Sequence, residues 1–514
     1  RDCSSSRMPT QIWIPAVFFP YLVGLGLVFG LSLPYIGLPL AVLTLAGPTG
    51  AYIFLRNQKV GVDDRVLTPK HLRHLLSRKA GKLGVKVDAE KKFDYQQGAP
   101  VELIAMGGDT DRDNQVNLIK SRQSPAFVVA KNLLADAIDA RGEKILLDYS
   151  QQGVAVKHQV DGVWQAAEPM DRETGDPMLA VLKTISNLNA AERRARQDGQ
   201  FGAEYNKAKY ACQITSQGVQ TGERVVLQLT NKKVQIESLE AAGMRPKMLE
   251  QLKEALAGPG GFVLLSAMPT GGLTTSLTLT LKACDRYMRD FFIVEQQGQQ
   301  EPEVENVMPV LFDKGQTAMT VLPSLLRKDP AFVVVPDISD LQTVGLLCKQ
   351  SVEASVIVGT MRAKEAVEAL LRVLAAKVPA KEFAPVAKAV LNVRLVRKLC
   401  ESCKQPYAPS ADMLKKLGIP PGKVQAFYRP PPPPEDPKEI CKVCRGVGYH
   451  GRTGIYELLL VSDKLREALI KQPQLETLRK VARAGGHNGV QEEGILMVAR
   501  GVTSLQELQR VLKQ

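Results

Sequence analysis

The sequence is poor in aromatic residues, which make up 5% of its 514 residues, and we find no motif in it that reads RNA or DNA. Its net charge of +14 indicates an anionic partner, either nucleic acid or an anionic membrane face. The shortage of aromatic residues and reading motifs makes nucleic acid the weaker choice, so we expect no nucleic-acid partner. With 45% hydrophobic and 23% charged residues, the chain is globular and long enough for roughly three domains.

Charged residues and histidine are also missing from Ile12 to Leu55. At about 1.5 Å per residue, roughly 20 residues cross a bilayer core, so this stretch is long enough for two passes. Ser32–Pro34 and Gly37 would form the turn, and the flanking basic residues place both ends in the cytoplasm. The alternatives are a single long span and a cleaved signal peptide, although no clear cleavage site is visible. We expect residues 1–58 to form a transmembrane hairpin.

A glycine-rich segment, Ser266–Ser276, lacks the lysine that phosphate-binding loops carry. It follows the apolar run Phe262–Leu265 and precedes a helix-compatible stretch, and this order is typical of a backbone N–H cradle for phosphate. The missing lysine would reach the β- and γ-phosphates, and Leu273 stands in its place. The candidate nucleotide-binding residues are Pro269, Thr270, Gly271, Gly272, Leu273, Thr274 and Thr275.

Four of the eight cysteines form two Cys-x-x-Cys pairs, Cys400 with Cys403 and Cys441 with Cys444. Four thiolates complete the tetrahedral shell of a Zn²⁺ ion. The alternative is a pair of redox or disulfide motifs, but a cytoplasmic location argues against stable disulfides. We therefore expect a structural zinc site with no open coordination position.

The order of strand and helix signals predicts an α/β fold. A helix is expected over residues 127–140, and Asp161-Gly162 reads as a hairpin turn after a strand at Val154–Val160. Further strands are expected at Lys144–Asp148 and Arg224–Leu229. Later apolar runs, each separated by enough residues for a helix, predict a parallel sheet covered by helices. These runs are Phe262–Leu265, Phe291–Val294, Phe332–Val335 and Val356–Val358.

Five stretches resemble the hexameric motor ATPases of type II secretion and type IV pilus assembly, in order from about Phe127 to Gln514. They are Asn187–Arg194, Arg196–Gly199, Gly222–Leu227, Leu395–Cys400 and Gly448–Glu457. The resemblance implies a ring of RecA-like P-loop domains that use ATP and Mg²⁺, each preceded by a smaller α/β domain that closes over the nucleotide. It also implies a partner in the platform of the inner membrane and a location on the cytoplasmic side of that membrane. The membrane hairpin departs from the family, whose members are generally peripheral.

The expected domain limits follow from these signals together. They are 1–58 for the hairpin, 59–123 for a small α/β module, 124–238 for the second α/β domain, 239–399 for the RecA-like core, 400–445 for the zinc segment and 446–514 for a C-terminal helical region.

The chain departs from the family where the family does its chemistry. Its loop is one residue shorter, and Leu273 replaces the lysine, although Thr274 matches the hydroxyl that holds Mg²⁺. The candidate catalytic residues implied by the resemblance are Glu295, which matches the family, Asp337 in place of a glutamate, and Arg362 in place of a histidine.

Glutamines replace further charged residues of the family. Gln296 stands where the family has aspartate, and Gln200, Gln213 and Gln228 stand where it has arginines from the preceding domain. Taken singly, each of these three glutamines is equally well explained as an ordinary surface residue. Glutamine keeps hydrogen-bonding ability without charge, so the fold can persist where catalysis does not.

Two hypotheses follow. The first is a membrane-anchored assembly or regulatory subunit, in a homo- or hetero-hexamer, that binds nucleotide but hydrolyses it slowly or not at all. The second is an active motor in which Arg362 supplies the charge missing from the loop, since ligands of parallel sheets collect at strand C termini.

Overall fold

The computed structural model describes residues 15–59 except 17, 21, 25, 27 and 29–33, and residues 98–513 except 232–235, 339–340, 354, 421, 423 and 433–438. The chain divides into two compact units, Arg1–Gln97 and Gly98–Gln514. Most of the small α/β module expected at residues 59–123 lies outside the described residues.

The first unit contains the helix α1 (Pro34–Lys59), with Pro39 and Pro48 inside it. Pro34 and Gly37, which we expected in a turn, lie instead in the first turn of this helix. Proline is well suited to the first helical position, because its missing N–H would have no partner there. Among the residues described, no helix combines the length and the apolar character needed to cross a membrane. The expected turn does not include Pro34 and Gly37, while its other residues, Ser32 and Leu33, lie outside the described residues.

The second unit begins with an antiparallel sheet and its helices. Its elements are β1 (Glu102–Ala105), α2 (Asp111–Arg122), α3 (Ala126–Asp139), β2 (Gly142–Tyr149), β3 (Val154–Val160), β4 (Val163–Ala166), α4 (Arg172–Ile185), β5 (Gln197–Tyr205), β6 (Ala208–Val219) and β7 (Gly222–Asn231).

The seven strands of this first sheet follow the order β1-β5-β6-β7-β2-β3-β4. Side chains alternate between the two faces, as in β2, where Ile145 and Leu147 are buried and Lys144 is half-buried. The helix expected over residues 127–140 is confirmed as α3, and the strand at Val154–Val160 is confirmed as β3. Asp161 and Gly162 both have positive φ, as a tight hairpin between β3 and β4 requires.

A mostly parallel sheet follows. Its elements are α5 (Pro246–Ala257), β8 (Gly261–Ala267), α6 (Leu273–Ala283), β9 (Phe291–Gln296), β10 (Val307–Phe312), α7 (Leu322–Leu326), β11 (Phe332–Val335), α8 (Leu341–Glu353), β12 (Val356–Met361), α9 (Ala366–Ala375), α10 (Ala380–Val386) and β13 (Ala387–Leu399).

The strand order of this second sheet is β10-β9-β11-β12-β8-β13-β16, in which only β16 (Tyr449–Leu460) runs antiparallel to its neighbour. All residues of β8, β11 and β12 are buried, because helices cover both faces. The parallel sheet predicted from the four apolar runs is confirmed. It places the carboxyl ends of β8, β11 and β12 at one edge.

The last part of the chain comprises small elements and helices. They are β14 (Gln405–Tyr407), α11 (Ala411–Lys416), β15 (Phe427–Arg429), α12 (Asp463–Lys471), α13 (Leu475–Ala484), α14 (Val490–Ala499) and α15 (Leu505–Leu512). Leu465 and Leu469 of α12 are buried in the core beneath the parallel sheet, so this helical region packs on the core that carries the loop.

Candidate functional site

The loop after β8 has the geometry of a phosphate cradle. The Gly271 N–H donates to the Met268 carbonyl at 2.8 Å, and a Cβ on Gly271 would lie 2.7 Å from the same oxygen. Gly272 precedes α6 with φ 93°, a conformation that favours glycine. No side chain caps α6, so its first backbone N–H groups are free to bind an anion.

Leu273 is the first residue of α6, and its side chain is half-buried. It packs against a core that includes Leu277 and Val393. The position that would extend a charged group to phosphates is therefore used for packing. The cradle keeps its backbone geometry without its own cation.

A cavity of about 490 Å³ opens in front of this loop, within the range of small-ligand sites. It is lined by all seven predicted loop residues, and also by Asp337 and Arg362. Asp337 follows β11 and Arg362 follows β12, so the carboxyl ends of neighbouring parallel strands deliver both side chains. The Asp337 N–H donates to Thr360 Oγ1 at 2.9 Å, which holds Asp337 at a positive φ of 56°.

Glu295 does not line this cavity. It is buried at the end of β9, where Oε1 accepts a hydrogen bond from the Glu301 N–H at 2.8 Å. Burial raises the pKa of Glu295, and the hydrogen bond from Glu301 opposes this shift. Its side chain borders a smaller, mostly apolar cavity of about 200 Å³. In this arrangement Glu295 supports the loop that carries Glu301. Glu301 itself lines the larger cavity, of about 490 Å³, which we call the nucleotide-sized cavity.

The first sheet contributes residues that we did not identify from the sequence. Glu143, Lys144 and Gln159 line the same cavity, together with Arg452 of β16. Glu143 and Arg452 form a salt bridge, and burial raises the pKa of Glu143 while Arg452 opposes the shift. Lys144 lies within a strand that the sequence did predict, but nothing in its pattern shows that the strand faces the loop.

The three glutamines that replace family arginines stand in one row. Gln200 on β5 is opposite Gln213 on β6, and Gln213 is opposite Gln228 on β7. Gln228 is in turn opposite Lys144, which is opposite Gln159 on β3. Directly opposed residues share a face, and all three exposed glutamines lie on the face that bears Lys144. Only Lys144 and Gln159 reach the cavity lining, while Gln200, Gln213 and Gln228 do not.

The four predicted zinc ligands come together. Their sulfur atoms all lie within 4.8 Å of one another, with Cys400 and Cys441 at 3.9 Å and Cys403 and Cys444 at 3.6 Å. These separations exceed the roughly 2.05 Å of a disulfide bond. They match the roughly 3.8 Å between sulfurs in a tetrahedron with Zn–S bonds of about 2.3 Å. The donor set therefore fits a structural zinc ion.

Backbone hydrogen bonds favour a thiolate at Cys441. Backbone N–H groups of Cys444 and Val443 lower the pKa of Cys441 to about 7. Burial raises the pKa values of Cys400 and Cys403, an effect that a bound dication would reverse. The Gly448 N–H also donates to Cys444 Sγ at 3.3 Å.

The chain that leaves the zinc segment contacts the first sheet. The Gly451 N–H donates to Asp161 at 3.1 Å, and Arg141 donates to the Tyr449 carbonyl at 3.3 Å. Next to them lies the salt bridge between Arg452 and Glu143. The zinc segment thus leads directly into the contacts that hold the first sheet beside the loop.

These features define an α/β protein of the P-loop class. They are a glycine-rich loop after a central parallel strand, and a carboxylate and an arginine from the ends of neighbouring strands. A sequence model of the family described as "Type II/IV secretion system protein" matches residues 120–510. The chain belongs to this family, which confirms the resemblance found in the sequence.

Curated relatives agree with this assignment. The chain is 26% identical over 423 residues to "Type II secretion system protein E" of Pseudomonas aeruginosa, covering 81% of both chains. It is 26% identical over 454 residues to "Type IV pilus assembly ATPase PilB" of Thermus thermophilus, covering 87% of this chain. It spans about half, 48%, of the length of that relative.

A solved structure shows the same fold. The chain aligns with the ATPase DotB of Legionella pneumophila at a TM-score of 0.50 and 12% identity, over 75% of this chain and 95% of DotB. At this identity the likeness concerns the fold alone.

Proposed function

We propose that this protein binds Mg-ATP but hydrolyses it slowly or not at all, and acts as an assembly or regulatory subunit of a type II secretion or type IV pilus machine. The observation that carries the proposal is Leu273, an apolar residue that stands where the family's loop has its lysine, at the start of a helix whose N terminus lines the cavity. The cavity, its Asp337 carboxylate and the Thr274 hydroxyl support retained binding of nucleotide and Mg²⁺.

The energetic reason for slow turnover is the loss of charge around the phosphates. One transition-state charge removed from a dry site costs on the order of 3–4 kcal/mol, or 10²–10³-fold in rate. An arginine finger contributes about 10³–10⁵-fold. Such losses are not additive, but the loop lysine and the replaced arginines together leave hydrolysis near background.

The proposal includes the assembly in which such a subunit works. In line with the family resemblance of the sequence, such a subunit would work in a homo- or hetero-hexameric ring at the cytoplasmic face of the inner membrane. Its partner there would be a platform protein of the secretion or pilus system. The four cysteines Cys400, Cys403, Cys441 and Cys444 would hold one structural Zn²⁺ ion.

A second candidate function is an active motor for secretion or pilus extension. It is favoured by Asp337 and Arg362, which line the cavity beside the loop. In that case Arg362 would supply the charge that Leu273 lacks. Since both candidates bind nucleotide, turnover separates them.

Binding itself is tested by the unfolding temperature of the full chain with and without Mg-ATP. We expect Mg-ATP to raise it, since a ligand that binds the folded state stabilises that state. Gly271→Ala should abolish the rise, because its Cβ would collide with the Met268 carbonyl. Gly345→Ala is the control, since a Cβ at Gly345 of α8 meets nothing within 4 Å. No rise with the wild-type chain would overturn the proposal of nucleotide binding.

A further inference from the structure

Three cations line the nucleotide-sized cavity although the loop contributes none of them. They are Lys144 from the first sheet, Arg362 from the end of β12 and Arg452 from β16. A nucleotide triphosphate brings several negative charges, so these side chains determine whether the cavity tolerates it.

Arg452 is already engaged. Its guanidinium pairs with Glu143, and this carboxylate lines the same cavity. An arginine held in a salt bridge has much of its charge neutralised locally. In the part of the chain that the structure describes, the side chains of Lys144 and Arg362, in contrast, form no hydrogen bond or ion pair, and the nearby Glu143 carboxylate acts on Lys144 only through its charge.

A β-bulge explains why adjacent residues both reach the cavity. Gly142 pairs with Val160 and Lys144 pairs with Gln159, so Glu143 has no partner on β3. A regular strand would direct Glu143 and Lys144 to opposite faces. A bulge re-aims side chains, so Glu143 reaches Arg452 while Lys144 remains available.

The neighbours of Lys144 in its row are uncharged. Gln228 lies opposite it on one side and Gln159 on the other, so no cation repels it and no carboxylate in the row neutralises it. Like charges in directly opposed positions would be unfavourable. The glutamines at these positions are therefore compatible with a free lysine between them.

We propose that Lys144 binds the phosphates of the nucleotide and so replaces, from the first sheet, the cation that Leu273 removed from the loop. This inference rests on the proposed nucleotide binding and deepens it. The phosphates then lie between a backbone cradle on one sheet and a lysine on the other. Bound nucleotide therefore connects the two sheets. This arrangement suits a subunit in which nucleotide binding stabilises one conformation and little nucleotide is hydrolysed.

The test measures equilibrium binding of Mg-ATP, Mg-ADP and AMP to the full chain. The variants are Lys144→Gln, which extends the existing glutamine row, and Lys144→Arg, which keeps the charge. Lys157→Gln is the matched control, since Lys157 is exposed on β3 on the same face but does not line the cavity.

We expect Lys144→Gln to weaken Mg-ATP binding about tenfold or more, as the loss of a charge-assisted hydrogen bond does. AMP binding should change less than Mg-ATP binding, Lys144→Arg should retain most of the affinity, and Lys157→Gln should change nothing.

Unaltered Mg-ATP binding by Lys144→Gln would overturn the inference and leave the proposed function intact. Equal weakening by Lys157→Gln would overturn it too, because general surface charge would then explain the loss. A wild-type chain that binds none of the three nucleotides would overturn the proposed function and this inference with it.

Discussion

Gln228 on β7 lies directly opposite Lys144 on β2, one strand spacing from a side chain that lines the nucleotide-sized cavity. Gln213 is two spacings away and Gln200 is three. At about 4.8 Å per spacing, these distances are roughly 5, 10 and 14 Å. Of the three positions where the family has arginine, Gln228 is therefore closest to the proposed phosphate site and Gln200 is farthest from it.

Gln228→Arg should tighten Mg-ATP binding, because an arginine one spacing from Lys144 adds a cation near the phosphates, and their negative charge outweighs its repulsion of Lys144. Solvent screening limits the gain to about 0.5–1 kcal/mol, or roughly two- to fivefold in affinity. Gln200→Arg, three spacings away, should leave affinity unchanged, and titration calorimetry distinguishes the two. An equal gain in affinity at both positions would contradict this interpretation. It would mean that the two sheets bind the nucleotide in a different relative arrangement.

Leu273→Lys should restore the missing loop cation. The lysine stem can pack where the leucine packs now, and its ammonium group can extend into the cavity. We expect about tenfold tighter Mg-ATP binding with little gain in hydrolysis, since the glutamine row stays uncharged. Leu273→Met is the control without charge. Hydrolysis that rises a hundredfold or more in Leu273→Lys would show that the loop lysine alone was limiting.

One zinc ion per chain is expected from elemental analysis of the purified protein. Cys441→Ser should lower zinc content and reduce stability by about 2 kcal/mol or more, because zinc binding contributes to folding free energy. Cys284→Ser, a half-buried cysteine outside the cluster, serves as the control for loss of a thiol. If Cys441→Ser retained both zinc and its unfolding temperature, the four-cysteine site would have another role.

Glu295→Gln should raise stability at pH 8 and lose that advantage as the pH falls toward 4. Burial raises the pKa of Glu295 from 4.5, so the folded state binds a proton more tightly than the unfolded state. The stability linked to this group is therefore present at low pH and lost as the pH rises through the raised pKa. Glutamine is permanently neutral and still accepts from the Glu301 N–H. The readout is unfolding temperature against pH, with exposed Glu303→Gln as control.

A lower unfolding temperature for Glu295→Gln at pH 8 would contradict this interpretation. It would mean that a cation partner stabilises the carboxylate in the folded chain.

The sequence predicted the second sheet well because its central strands are buried on both faces, which leaves continuous apolar runs such as Phe332–Val335. It also identified the cysteine cluster, since two Cys-x-x-Cys pairs have few other uses. The first sheet's share of the cavity was not predictable in this way. Glu143 and Lys144 reach it through a bulge, and a bulge leaves no periodic signal in a single strand.

At two other positions the structure adds what the local sequence pattern does not show. Pro34 and Gly37 looked like turn residues, yet both begin α1, because proline also fits the first helical position. Glu295 matches a family position, and in this structure it accepts a hydrogen bond from the Glu301 N–H and does not line the cavity in front of the loop. Residue identity alone does not determine which cavity a strand-end side chain enters.

The central claim is that the site holds Mg-ATP without turning it over. Its most direct test measures Mg-ATP binding and steady-state hydrolysis in one preparation of the full chain, alongside Asp337→Asn. The account predicts saturable binding and a hydrolysis rate near background that Asp337→Asn does not change. The account would be contradicted if the wild-type chain hydrolysed Mg-ATP at about 1 s⁻¹ or faster and Asp337→Asn abolished this hydrolysis. Such a rate is within the ordinary range for enzymes.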